Sequence, residues 1–201
     1  MKFNLPAYST NYFSTTVWIK CPKCGEKALV SSQPTNAVIP LTNHAEAHCT
    51  NCSFKTTERN WRGYYQGFIN LPCGYCGARI THCTKPIKEI YAEENVTCTS
   101  CHKKRAYELL WAPYKSNTGT DPFFGYDLWL QVEVKNNILW GYNKEHLTYI
   151  KTYIEATLRE DNSRHKYSLI ANLPQWMIQA KNRSLVIKKI DKLITLTNGA
   201  F

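Results

Sequence analysis

The hydrophobic positions change their period along the chain. After Asn143 they follow a helix: Leu147, Ile150, Ile154 and Leu158 recur at three- and four-residue steps. This predicts a helix over 144–160, capped by Asn143 and ended by the polar run Arg159-Glu160-Asp161-Asn162-Ser163. A last helix is predicted after Ser184 as its cap. Leu185, Ile187, Ile190, Leu193 and Ile194 face inward, and Lys188, Lys189 and Lys192 face outward. Between the two, "SLIANLPQWMIQAKN" reads as two short helices broken before Pro174, whose ring disfavours helix in the residue ahead of it. Upstream, "FFGYDLWLQVEV" and "NILWG" read as strands joined by a turn at Lys135-Asn136-Asn137. Residues 113–122, "PYKSNTGTDP", have no periodicity and read as a linker.

The first 112 residues show short strand-like runs punctuated by cysteines. Eight of the nine cysteines form four C-x-x-C pairs: Cys21/Cys24, Cys49/Cys52, Cys73/Cys76 and Cys98/Cys101. The text around them repeats. "CPKCG" and "PCGYCG" place glycine directly after the second cysteine (Gly25, Gly77). "CTNCSFKTTERNW" and "CTSCHKKRAYELLW" each run from a Cys-Thr-x-Cys pair to a tryptophan (Trp61, Trp111). A C-x-x-C-G knuckle aims two sulfurs at one ion, and glycine relieves the backbone where φ turns positive. Two knuckles complete a tetrahedral shell of four cysteine sulfurs. Each unit of this size buries too little core to fold readily alone, so the metal supplies much of the folding energy. The expectation is two structural Zn2+, held by Cys21, Cys24, Cys49 and Cys52 and by Cys73, Cys76, Cys98 and Cys101. Iron is the alternative metal that sulfur ligation permits.

The fold class expected is α+β: two tandem four-cysteine zinc ribbons followed by a β-hairpin with helices. The expected divisions are an N-terminal segment 1–17, ribbons 18–62 and 68–112, the linker 113–122 and a C-terminal domain 123–201.

Cys83 is the ninth cysteine and has no counterpart in the first repeat. It is expected to be a free thiol near the second metal but outside its shell. His48 and His102 adjoin ligand cysteines, but each repeat already offers four thiols, so neither is needed as a ligand.

Charge modifies this picture. The formal charge is +10. Two zinc tetrathiolates carry about two negative charges each, which lowers the sum to about +6. Residues 1–117 hold 14 Lys/Arg against 7 Asp/Glu, and residues 118–201 hold 11 against 8, so basicity is spread evenly. This weakens the case for nucleic acid as the partner. The run Lys103-Lys104-Arg105 is the candidate phosphate contact, against the plainer reading of a solvated ribbon edge. Most aromatics are expected in the core, with "WRGYYQGF" the exposed exception. No apolar run approaches a membrane span, and "MKFNLPAYSTNYF" does not read as a secretory signal; a cytoplasmic protein is expected.

One enzymatic pattern competes. "His44-Ala45-Glu46" and "Pro72-Cys73-Gly74-Tyr75-Cys76" together spell the H-x-E…P-C-x-x-C form of zinc deaminases, with His44, Cys73 and Cys76 as ligands and Glu46 as proton shuttle. It leaves six paired cysteines without a role and puts its halves in knuckles rather than at helix starts. No phosphate-binding loop or nucleophile elbow is present, and a non-catalytic protein is expected.

"GTDPFFGYDLWLQ", "LWGYNKEHLTYIKTYIEATLRE" and "LPQWMIQAKNR", following the cysteine repeats, resemble bacterial proteins that contain a transcription-factor-IIB-type zinc ribbon. The resemblance implies cysteine ligation at the eight paired positions. It implies no catalytic residues and no established partner. A protein partner is favoured, met by an adaptor or an immunity-type inhibitor. Direct DNA or RNA binding is the alternative.

Overall fold

The computed structural model describes residues 2–32, 44–58, 60–115, 119–158 and 167–197. The chain divides into two compact units. One combines Met1–Arg59 with Gly119–Phe201, and the other is Asn60–Thr118.

The first unit holds a four-stranded antiparallel sheet in sequence order: β1 (Thr16–Lys20), β2 (Lys27–Ser32), β3 (Ala45–His48) and β4 (Lys55–Thr56). Burial alternates along it, as a sheet with one covered face requires. Val17, Val30 and Ala47 form one cross-strand row and Ile19 and Ala28 another, all fully buried. They join one core with Phe124, Leu128, Leu130 and Leu139 from the C-terminal segment.

This shared core corrects the expected separation of residues 18–62 from 123–201. The outer edge of β1 does not face water. Trp18 N–H donates to Tyr142 O (2.8 Å), Lys20 N–H to Asp127 O (2.8 Å), and Trp129 N–H to Trp18 O (2.9 Å). An unpaired strand edge is costly when buried, and the segment 127–142 satisfies it. Residues 1–17 belong to this unit as well, with Phe13 buried beside Tyr149 and His146.

The predicted hairpin forms as strands β10 (Gln131–Val134) and β11 (Asn137–Trp140). The first strand is shorter than predicted, because residues 121–126 make a turn instead. Helix α1 (Lys144–Glu155) begins as expected, with Asn143 Oδ1 accepting His146 N–H at 2.9 Å. It stops earlier than 160. Ala156 is extended (ψ 133°), so Leu158 falls outside the helix and is 65 % exposed. The predicted terminator 159–163 lies outside the described residues. A single-turn helix α2 (Gln175–Ile178) follows Pro174.

Helix α3 (Arg183–Thr195) starts one residue before the predicted cap, and Ser184 is exposed. Its inner face carries Val186 with Ile190 and Leu193, while Leu185, Ile187 and Ile194 are half-buried. Helix α3 packs on α1 and on β10. Lys151 Nζ bridges the helices to Asp191 at 2.6 Å.

The second unit has two small antiparallel sheets. One has the order β6 (Arg79–Cys83), β5 (Tyr65–Pro72), β9 (Leu110–Pro113). The other pairs β7 (Glu93–Thr97) with β8 (Lys104–Glu108). Its core is small: Ile69, Cys73, Ile80, Cys98, Tyr107 and Leu109. No helix among the described residues is long and apolar enough to cross a membrane.

Candidate metal centres

Each C-x-x-C pair sits on a turn with the same hydrogen bonds. The first cysteine's N–H donates to the carbonyl five residues on: Cys21 to Glu26 (2.7 Å), Cys49 to Phe54 (2.8 Å), Cys73 to Ala78 (2.7 Å) and Cys98 to Lys103 (3.0 Å). In three of the turns the residue four positions on donates back to that cysteine's carbonyl: Gly25, Gly77 and His102, at 2.9, 2.9 and 3.0 Å. This fourth position must adopt a left-handed backbone. Gly25 and Gly77 do so at φ 77° and 74°, where glycine is unstrained. In the other two turns the same slot holds Ser53 (φ 55°) and His102 (φ 57°). His102 is therefore the left-handed turn residue beside its cysteines, and neither it nor His48 joins the ligand groups.

The turns bring the thiols together in two sets of four, Cys21, Cys24, Cys49 and Cys52, and Cys73, Cys76, Cys98 and Cys101, with all sulfurs of a set within 4.8 Å. The sulfurs of Cys21 and Cys52 are 3.5 Å apart and those of Cys24 and Cys49 3.7 Å. In the second set Cys73–Cys101 and Cys76–Cys98 are both 3.8 Å. A tetrahedral ion with sulfur at about 2.3 Å separates its ligands by about 3.8 Å. A disulfide would need about 2.05 Å, and all nine thiols are free. The donor sets fit a tetrahedral metal ion in each cluster.

The electrostatics point the same way. Cys24 is pulled down to about 6 by the Asn51 amide and by the Glu26 N–H. Cys73 is pulled down to about 6 by the N–H groups of Tyr75 and Cys76, and Cys98 is lowered by those of Cys101 and Ser100. The turns thus present donors to anionic sulfur. Burial pushes Cys52 up to about 12. The Ala78 N–H draws Cys76 down, but burial and the neighbouring thiols outweigh it and leave it at about 11. Four thiolates cannot share one site on their own, and a bound dication supplies the charge that ionises all of them.

Comparison with models of known protein families, with curated proteins and with solved structures returned no match. Cys73 and Cys76 are grouped with Cys98 and Cys101, which closes a four-sulfur shell. The deaminase arrangement needs them with His44 and an open position for water. Glu46, its proton shuttle, instead pairs with Lys55 at 2.9 Å.

The phosphate-contact candidates are exposed. Lys103 Nζ lies 4.8 Å from the centre of the Tyr75 ring, which is 55 % exposed, and Lys104 is open to solvent. Arg105 folds over the Cys73/Cys76 knuckle so closely that a Cβ at Gly74 would run into its guanidinium. The segment "WRGYYQGF" is exposed only in part, at Arg62 and Phe68. Trp61 packs on Gly63 and donates to Tyr64 O at 2.8 Å, leaving Trp61, Tyr64 and Tyr65 half-buried. Cys83 is free and exposed but not near the cluster. It sits four residues beyond Arg79 on β6, about 13 Å along the strand.

A fifth knuckle carries no metal ligand set. Asp121 N–H donates to Tyr126 O (2.9 Å) and Gly125 N–H donates to Asp121 O (3.2 Å), with Gly125 at φ 78°. The Asp121 carboxylate, fully buried, takes the place of the first thiolate. It accepts N–H groups from Phe123 (2.9 Å), Phe124 (2.8 Å) and Tyr126 (2.6 Å). Phe124 stands where the second cysteine would be and enters the core. The signal is in the text: "DPFFG" matches "CPKCG" with both ligands replaced.

Proposed function

We propose that the chain is a non-catalytic zinc protein whose two cysteine clusters are structural zinc ribbons, and that it works by docking on a protein partner. The closed shell carries the reading. Four thiolates fill the tetrahedron in each cluster, so a bound zinc has no position for water or substrate. The chemistry such an ion supplies is folding energy and a fixed loop geometry. The partner class we favour is machinery that handles nucleic acid, with this chain as adaptor or immunity-type inhibitor. That choice is supported by the resemblance to transcription-factor-IIB-type zinc-ribbon proteins and by the modest charge left after zinc binding. A cytoplasmic location follows from the use of cysteine as metal ligand.

A second reading is direct nucleic-acid binding, favoured by one observation: Lys103, Lys104 and Arg105 are all exposed, with Lys103 over the Tyr75 ring. Binding of generic single- and double-stranded DNA across a salt series decides between them. Weak binding that is indifferent to Lys103→Gln/Lys104→Gln/Arg105→Gln is expected. Submicromolar binding at physiological salt that the triple variant abolishes would install the second reading.

A further inference from the structure

The three-stranded sheet of the second unit has one covered face and one open face. Register partners share a face, so Leu110, Phe68 and Cys83 form a row straight across the open side. Leu110 is 75 % exposed, Phe68 40 %, and Cys83 is exposed as well. The next row is polar, Asn70 opposite Thr81, and beyond it Arg79 stands opposite Pro72. Arg79 Nε donates to Asn70 Oδ1 at 2.7 Å, which holds the guanidinium over this face. An apolar centre with a polar rim is the anatomy of a protein interface.

The three-stranded sheet carries a cation and no carboxylate in its strands. Residues 64–72, 79–85 and 110–115, the three strands and their flanks, contain Arg79, Lys85 and Lys115 and no Asp or Glu. The β7–β8 sheet is mixed, with Glu93, Glu94 and Glu108 beside Lys104 and Arg105. A second copy of the chain would offer Arg79 no carboxylate from the matching strands, so an isologous contact leaves that charge unanswered. The outer strands are about 10 Å apart, the diameter of one helix.

We infer that this open face receives a single acidic amphipathic segment of a protein partner. Its apolar residues cover Leu110 and Phe68, and its carboxylates meet Arg79. The inference rests on the protein-partner reading above and adds the surface and the chemistry of what covers it.

The test is site-specific photocrosslinking of the full chain in its native cells. Leu110→p-benzoylphenylalanine and Thr81→p-benzoylphenylalanine probe the face. Lys103→p-benzoylphenylalanine probes the basic knuckle. Two zinc ions per chain in each purified variant show that it folds. The expected result is an adduct from positions 110 and 81 whose crosslinked peptide, read by mass spectrometry, is rich in Asp/Glu with interspersed apolar residues. Adding Arg79→Glu should cut its yield at least tenfold. Nucleic acid crosslinked at 110 would overturn both this inference and the protein-partner reading. A protein adduct at 103 with none at 110 or 81 would overturn only the assignment of the surface. A self-adduct, a partner peptide without acidic residues, or no adduct at any position would also overturn it.

Discussion

The Asp121 carboxylate accepts the backbone N–H of Phe124 at 2.8 Å, in the slot where the cysteine knuckles present a sulfur. The five turns share a backbone pattern, and in those of Cys21, Cys73, Cys98 and Asp121 the first side chain accepts backbone N–H groups. In the four cysteine turns a metal ion is expected to bind that first side chain. In the fifth the second ligand position is an aromatic ring that fills the core of the first unit.

Removing the Asp121 carboxylate should be costly. Asp121→Ala leaves three backbone donors without their acceptor in a buried turn. Hydrogen bonds to a charged group contribute about 1.5–3 kcal/mol each, so a loss of about 3 kcal/mol or more is expected in chemical denaturation. Asp121→Asn is expected to destabilise as well, because its amide nitrogen meets the donor of either Tyr126 or the Phe123–Phe124 pair. Zinc stoichiometry should stay at two per chain in both variants. Loss of one zinc would mean that the fifth turn participates in a metal site.

His102 makes a sharper test of the turn geometry. Its φ of 57° is strained for a residue with a Cβ. His102→Gly should therefore keep zinc and raise resistance to chelation by a few-fold. A variant that loses the second zinc would show that His102 ligates the metal.

The two units should respond differently to metal removal. Of the six core residues of the second unit, Cys73 and Cys98 belong to the four-sulfur cluster itself. The core of the first unit also includes Cys21 and Cys49, but it is far larger and buries Leu128, Leu130, Leu139, Leu147, Ile154 and Ile190 besides. Under a strong chelator, hydrogen exchange should show β5 to β9 losing protection while α1 and α3 keep theirs. Simultaneous loss in both units would contradict this.

His146 predicts a pH dependence. It is buried against Phe13, Trp140 and Tyr142, and burial holds it down at about 3. Tyr142 N–H donates to its Nδ1 at 3.1 Å, which leaves the proton of the neutral ring on Nε2, where it has no hydrogen-bond partner. The unfolded chain binds a proton near 6.5 and the folded chain does not, so stability falls as pH drops through 6.5 and levels off near 3. Between pH 7 and pH 5 the loss is about 2 kcal/mol. His146→Phe keeps a ring against Phe13 and should flatten this slope, even though the unpaired Tyr142 N–H lowers stability at every pH. An unchanged slope would assign the acid sensitivity to the thiolates alone.

The cysteine spacing makes both clusters legible in the sequence, because a C-x-x-C turn is a local structure that carries its own ligand geometry. Helical periodicity likewise places α1 and the inner residues Ile190 and Leu193. What the sequence does not reveal is non-local. Nothing in residues 16–32 says that β1 will bond to the chain near Asp127 and Tyr142, so the first repeat reads as separate from the C-terminal segment. The fifth knuckle hides for a different reason. A search for ligands passes over "DPFFG", although its backbone pattern is that of "CPKCG". The strand predicted from residue 123 is too long for the same reason, since Asp121 turns the chain before β10 begins.

X-ray absorption at the zinc edge tests the central claim most directly. The claim is two closed four-sulfur centres, and it predicts two zinc ions per chain, each with four sulfur neighbours near 2.3 Å and no nitrogen or oxygen neighbour. One zinc per chain, or a nitrogen or oxygen scatterer near about 2.0 Å, would contradict it and reopen an enzymatic reading.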